Sequence, residues 1–206
     1  MGELFSALTS PQTNEDFYGE IIRENLDKRI LVFNDQVDEN VMENYILRIL
    51  KWNKEDENLP IEARQKIRIY LDCPGGETIT GMNLVDVIMQ SKTPIVGVVF
   101  SMAASMGYHI LLACHERIAF KNSVLLQHDG EMALSSSSSK FKDTVKFFDS
   151  LDDRIKEYVL SRTNMTEEFY DRIYNQEYWM FGNEEAKRLG VIHKVIGEDC
   201  DIEEIL

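Results

Sequence analysis

The chain has 206 residues and a formal net charge of −14, with 22 Lys and Arg against 36 Asp and Glu. That length suits one well-buried domain and is short for two, and the acidic balance argues against a nucleic-acid footprint, which needs clustered basic charge. No run suggests a membrane span or a secretory leader, and three scattered cysteines (Cys73, Cys114, Cys200) without metal-ligand spacing to the four histidines fit a reducing cytoplasm.

In chain order, residues 1–19 carry Leu4, Phe5 and Leu8 with no helix or strand period behind them, as in a frayed or docking segment. RILVF (29–33) reads as a first strand. Val41, Met42, Tyr45, Ile46, Ile49 and Leu50 then form the apolar face of a helix, and 51–65 is a charged, solvated loop. KIRIYLDC (66–73) is a second strand, halted at Pro74-Gly75-Gly76. Proline cannot donate to a ladder and the glycines permit positive φ, so this is a tight turn whose amides can face an anion. A helix over 77–90 is expected to bury Met82, Val85, Ile88 and Met89.

The central stretch is PIVGVVFSMAASMG (94–107). Its apolar run 95–100 suits a strand buried on both faces, after which the residues become small and a turn is expected to lead into an apolar helix over 108–113. A strand, a turn and a helix in this order can present a hydroxyl where unpaired N–H groups gather, which makes Ser105 the candidate nucleophile. The stretch is not G-x-S-x-G, and small residues after a strand also serve plain helix–strand packing. Strands over 116–120 and 123–127 follow, and the second delivers His128 at a strand end, where α/β sites form.

Five serines (135–139) read as loop or helix entry, and a long helix over about 140–162 follows. Phe141, Val145, Phe148, Asp152, Ile155 and Val159 recur in it by threes and fours, and Phe147 with Phe148 offers more apolar surface than a small domain needs. Such a helix is expected to pack against another subunit. A helix over 166–175 has a capping signature at Thr166, the segment 184–189 ends at Gly190, 191–196 is a last strand, and 197–206 is an acidic tail. The alternation gives an α/β fold with one principal sheet.

Taken together, these segments resemble the proteolytic subunit family of the Clp proteases. YLDCPGGETITGM (70–82) is similar to that family's Y-x-N-S-P-G-G-x-x-x-x-G-M, with Asp72-Cys73 in place of Asn-Ser. SMAASMG (101–107) resembles its G-x-A-A-S-M-G, and NSVLLQH (122–128) its N-S-x-x-x-x-H, although Asp129-Gly130 stands where the family has Gln-Pro. The resemblance implies the α/β, crotonase-like Clp fold: one peptidase domain over 20–196 of repeated strand–helix units, with a protruding handle helix at about 140–162. Residues 1–19 would be an axial docking segment.

The resemblance also implies a serine endopeptidase with Ser105 as nucleophile, His128 as general base, and an oxyanion hole from the N–H groups of Gly76 and Met106. QEYWMFGNEEA (176–186) aligns with the family's acid segment, R-D-Y-W-M-S-A-E-E-A, with one extra residue. Anchoring on Tyr-Trp-Met puts Glu177 at the acid position, the preferred choice. Anchoring on Glu-Ala puts Tyr178 there, and Asp129 is a further candidate. The implied partners are further copies of the chain in stacked heptameric rings, an AAA+ unfoldase of the ClpX, ClpA or ClpC type, and polypeptide substrates, with no nucleic acid and no membrane. No cofactor is implied, since the partner ATPase uses the ATP. Two other readings are a weakly active or non-catalytic ring subunit and a crotonase-type acyl-CoA enzyme.

Overall fold

The computed structural model describes residues 14–130 and 137–206, in which helices and strands alternate about one sheet. The expectations for Leu4, Phe5 and Leu8 lie outside the described residues. The strands are β1 (Ile30–Phe33), β2 (Ile67–Cys73), β3 (Ile95–Ala104), β4 (Glu116–Phe120), β5 (Val124–Gln127), β6 (Tyr178–Phe181) and β7 (Lys194–Ile196). Five of them run parallel in the order β1-β2-β3-β4-β7. Parallel neighbours need crossover segments, which here are helical. The helices are α1 (Asn14–Asp27), α2 (Leu47–Glu55), α3 (Thr78–Gln90), α4 (Met106–Ala113), α5 (Ser138–Arg162), α6 (Glu167–Tyr174) and α7 (Glu184–Arg188). The α/β expectation is met.

β3 is the pivot. Its first part pairs with β4, Val96 opposite Glu116 through Val99 opposite Ala119. Its last part changes partner, with Met102, Ala103 and Ala104 opposite Val124, Leu125 and Leu126 of β5. The small residues after Phe100 are therefore not the expected turn but more strand, which serves two neighbours in succession and shifts register against β2 between Val99 and Ala103. β5 in turn carries β6 antiparallel. This sub-layer holds the carboxyl end of β3, where ligand sites of parallel sheets form.

Several boundaries differ from expectation for local reasons. Helix α2 runs to Glu55 into the expected loop because Trp52 is buried on its inner face. Residues 14–19 belong to α1 rather than to an unpatterned tail. Met89 is exposed, and α3 buries Gly81, Leu84, Val85 and Ile88 instead. The last strand begins only at Lys194, since the backbone at Val191 and Ile192 bonds back to Ala186. β6 was not expected. The acidic tail folds back as a turn, Ile202–Ile205, that buries Ile205 beside Val96, Val98 and Ile118, and the Tyr70 hydroxyl donates to the Ile205 carbonyl. Thr166 caps α6 as expected, its Oγ1 accepting from Phe169 N at 3.1 Å. Among the described residues no helix is long and apolar enough to cross a membrane.

Candidate active site

Ser105 occupies the single residue between β3 and α4, with φ 53° and ψ −122°. An L-residue at positive φ away from the left-handed helical well is strained by roughly 1–3 kcal/mol. The surroundings impose that conformation. The Ser105 N–H donates to the Leu126 carbonyl of β5 at 3.1 Å. Its own carbonyl accepts from Tyr108 and His109 at 3.0 and 3.2 Å, which starts α4. The serine is thus tied on one side to the strand leading to His128 and on the other to a helix N-terminus.

The Pro74-Gly75-Gly76 turn presses on this residue. Gly75 has φ 112° and Gly76 φ 143°. A Cβ at Gly75 would stand 2.5 Å from Ser105 Cβ and 3.0 Å from its Oγ. A Cβ at Gly76 would stand 2.3 Å from the Val37 carbonyl oxygen, because Val37 clamps the turn: its N–H donates to the Gly75 carbonyl and its carbonyl accepts from the Glu77 N–H, both at 2.8 Å. With its neighbours so held, the Gly76 N–H makes no hydrogen bond among the described residues. Met106 is the first residue of α4, so its N–H has no partner within the helix. Donors at such positions favour negative charge.

Cys73 lies in the same turn but is no rival nucleophile. Its thiol is fully buried, and burial pushes its pKa up to about 11, so it stays protonated.

His128 is half-buried and follows directly on β5, beside the strand end that carries Ser105. The structure therefore brings the two chain regions together, although the imidazole and the Ser105 hydroxyl make no hydrogen bond in this conformation. Glu177 is placed by the β5–β6 register. The ladder ends with Gln127 opposite Tyr178, so Glu177 and His128 are the next residues beyond that pair on their two chains. Its carboxylate, however, is exposed and accepts from the Trp179 indole N–H at 3.1 Å. Glu177 and His128 make no hydrogen bond or ion pair in this conformation, and the carboxylate is engaged by the indole instead. Tyr178 points elsewhere, its hydroxyl donating to Glu185 at 2.7 Å. Asp129 adds negative charge near Asp152 and Tyr174 beside α5 and α6, and makes no ion pair with His128.

Two polar side chains beside the site were not expected. His109 on α4 and Gln127 at the end of β5 are both buried. The signal for them was present as a polar residue inside the apolar run YHILLA and another closing the apolar run VLLQ. Among the described residues no group of His, Cys, Asp and Glu is arranged to hold a metal ion.

The Clp protease family profile matches residues 13–199, nearly the whole chain. The chain belongs to the Clp protease family. It is also similar to a protein named ATP-dependent Clp protease proteolytic subunit from Deinococcus radiodurans, 25% identical over 185 residues that cover 89% of this chain and 85% of that protein. Clp family membership accounts for the sheet built on parallel strands and removes the basis of the acyl-CoA reading.

Proposed function

We propose that this chain is a serine endopeptidase, the proteolytic subunit of an ATP-dependent Clp protease that cuts unfolded polypeptides to short peptides inside an oligomeric chamber. The observation that carries the reading is the strained backbone of Ser105 at the start of α4, with the glycine turn packed against its side chain. Strain of this kind holds a hydroxyl out of a sheet toward substrate. In the proposed reaction His128 takes the Ser105 proton as Oγ attacks a peptide carbonyl, and the oxygen that becomes negative receives the Gly76 and Met106 N–H groups. His128 then gives the proton to the leaving amine, and water, activated by the same imidazole, releases the acyl group. Glu177 would swing from Trp179 to orient the imidazole. Contacts of this kind are often open in a substrate-free enzyme and tighten in the complex.

The chamber is proposed to consist of stacked heptameric rings. Supporting this, α5 leaves Phe141 44% and Phe147 54% exposed. An AAA+ unfoldase would use ATP and deliver unfolded substrate, so the chain itself needs no cofactor, and the cytoplasm is the expected location. One observation favours a second reading, a weakly active ring subunit: the Glu177 carboxylate rests on Trp179 and not on His128. The test is labelling with a fluorophosphonate probe, which should tag Ser105 and fail on Ser105→Ala. Labelling at another serine, or none on the assembled protein, would overturn the peptidase reading.

A further inference from the structure

His109 lies on the helix that follows Ser105 and Gln127 ends the strand that leads to His128, and neither belongs to the proposed triad. His109 is 6% exposed and Gln127 1%. Both ring nitrogens of His109 and the Oε1 atom of Gln127 lack a hydrogen-bond partner. Buried polar atoms are nearly always satisfied, so orphans on neighbouring side chains ask for an explanation. The backbone around His109 is well anchored. Its N–H donates to the Ser105 carbonyl at 3.2 Å and its carbonyl accepts from the Tyr158 hydroxyl of α5 at 2.7 Å. Its ring meets those of Tyr108 and Tyr158 edge to face, with centroids 5.7 and 6.4 Å away.

The Gln127 amide has a definite orientation. Its Nε2 donates to the His128 carbonyl at 3.2 Å, and a flipped amide would set oxygen against oxygen. Oε1 is therefore an acceptor in need of a donor. Burial lowers the His109 pKa to about 4, the Gln127 amide partly opposing and the His128 charge adding to the effect. At neutral pH His109 is thus an uncharged imidazole, with one N–H to give and one lone pair. The Gln127 amide bears on the His109 ring, yet neither ring nitrogen nor Oε1 has a hydrogen-bond partner in this conformation.

We infer that His109 and Gln127 are a pair of positioning residues, in which the His109 N–H donates to Gln127 Oε1 and the Gln127 amide holds the His128 carbonyl, fixing the backbone from which the base projects. The inference rests on the reading of Ser105 and His128 as nucleophile and base. A short polar bridge suits this task because it joins the element carrying the nucleophile to the element carrying the base. Packing alone would be served as well by two apolar side chains.

That contrast supplies the test, with His109→Leu, Gln127→Leu and the double variant made in the full chain. Each single change leaves its partner's polar atoms buried alone, so the thermal midpoint should fall. The double change removes both and should recover it. Turnover of a short fluorogenic peptide should drop about ten- to a hundredfold in all three variants, with KM within about twofold, as expected when the base is misplaced by a fraction of an ångström. A double variant with wild-type stability and wild-type kcat would overturn the inference and leave a packing role. Should the variants fail to fold, nitrogen-15 histidine spectra of the wild type decide. One ring should stay neutral with a slowly exchanging N–H from pH 5 to 8, and its absence refutes the bridge. Fluorophosphonate labelling of wild-type Ser105 keeps the two failures apart: no labelling sinks the peptidase reading, whereas labelling with an indifferent double variant sinks only the bridge.

Discussion

Replacing Gly75 by alanine tests whether the glycine turn holds the nucleophile in place. The new Cβ would lie 2.5 Å from Ser105 Cβ, whereas carbon atoms rest at about 3.5 Å, so about 1 Å must be found by moving the turn or the serine. Neither is free, since Val37 clamps the turn and Leu126 and α4 clamp Ser105. Overpacking of this size with an L-residue forced to φ 112° should cost about 2–4 kcal/mol of stability. A displacement near 1 Å should lower kcat about a hundredfold. Gly197→Ala is the control: it also has positive φ, 85°, but nothing lies within 4 Å of its added Cβ. It should lose roughly 1 kcal/mol and no activity. The assays are thermal unfolding, the rate of fluorophosphonate labelling, and peptide turnover. A Gly75→Ala protein that is labelled and turns over within about twofold of wild type would refute the argument that this turn sets the geometry of Ser105.

Three further outcomes are expected. If Glu177 serves as the acid, Glu177→Gln should cut turnover by about 10³–10⁴, and Trp179→Phe, which removes the competing donor, should raise it; an active Glu177→Gln protein would leave the base without this acid. Glutamate at Phe147 and Phe148 should make the assembly sediment as single rings, and a wild-type protein that sediments as a monomer at micromolar concentration would refute the stacking proposal. Arg29→Met should strand the buried Asp56 carboxylate, bonded to Arg29 at 2.6 and 3.0 Å, and cost about 3–5 kcal/mol at pH 7. The Arg29 hydrogen bonds, aided by Thr93 and opposed by burial, hold the Asp56 pKa below its ordinary value. Its contribution is thus full above the unfolded carboxylate range near pH 4 and fades as pH falls through the lowered native value, so unfolding curves of wild type and Arg29→Met should converge in acid.

Much of the fold was legible because burial leaves a period. The runs 29–33, 66–73 and 116–120 alternate or stay apolar as sheet residues must, and α3 and α5 repeat at three and four. What escaped was structure whose reason lies elsewhere in the chain. β6 has two of its four side chains exposed, and only the β5 edge makes it a strand. The short last strand is decided by backbone bonds to Ala186, which no side-chain pattern records. Glu177 shows the same division within the site. Its place just before β6 follows from Tyr-Trp-Met, but that its carboxylate accepts from the Trp179 indole is a side-chain choice that spacing does not record.

The missing G-x-S-x-G pattern is the instructive case. The glycines of that pattern let the chain turn sharply at a strained serine and let other backbone approach it. Here Ala103 stands on one side of Ser105 and Gly107 on the other, yet the serine still has φ 53°. The space is provided from another segment: Gly75, at the end of β2, leaves open the volume a Cβ would take from Ser105, and Gly107 leaves room for Cys73, where an added Cβ would stand 2.7 Å from the Cys73 carbonyl oxygen. Two adjacent strand ends thus interlock, each glycine yielding to the other segment's side chain or backbone. The steric requirement is the same as in the familiar turn, but it is divided between two segments. A pattern confined to the residues around the serine misses it, and PGG (74–76) read together with AASMG (103–107) captures it.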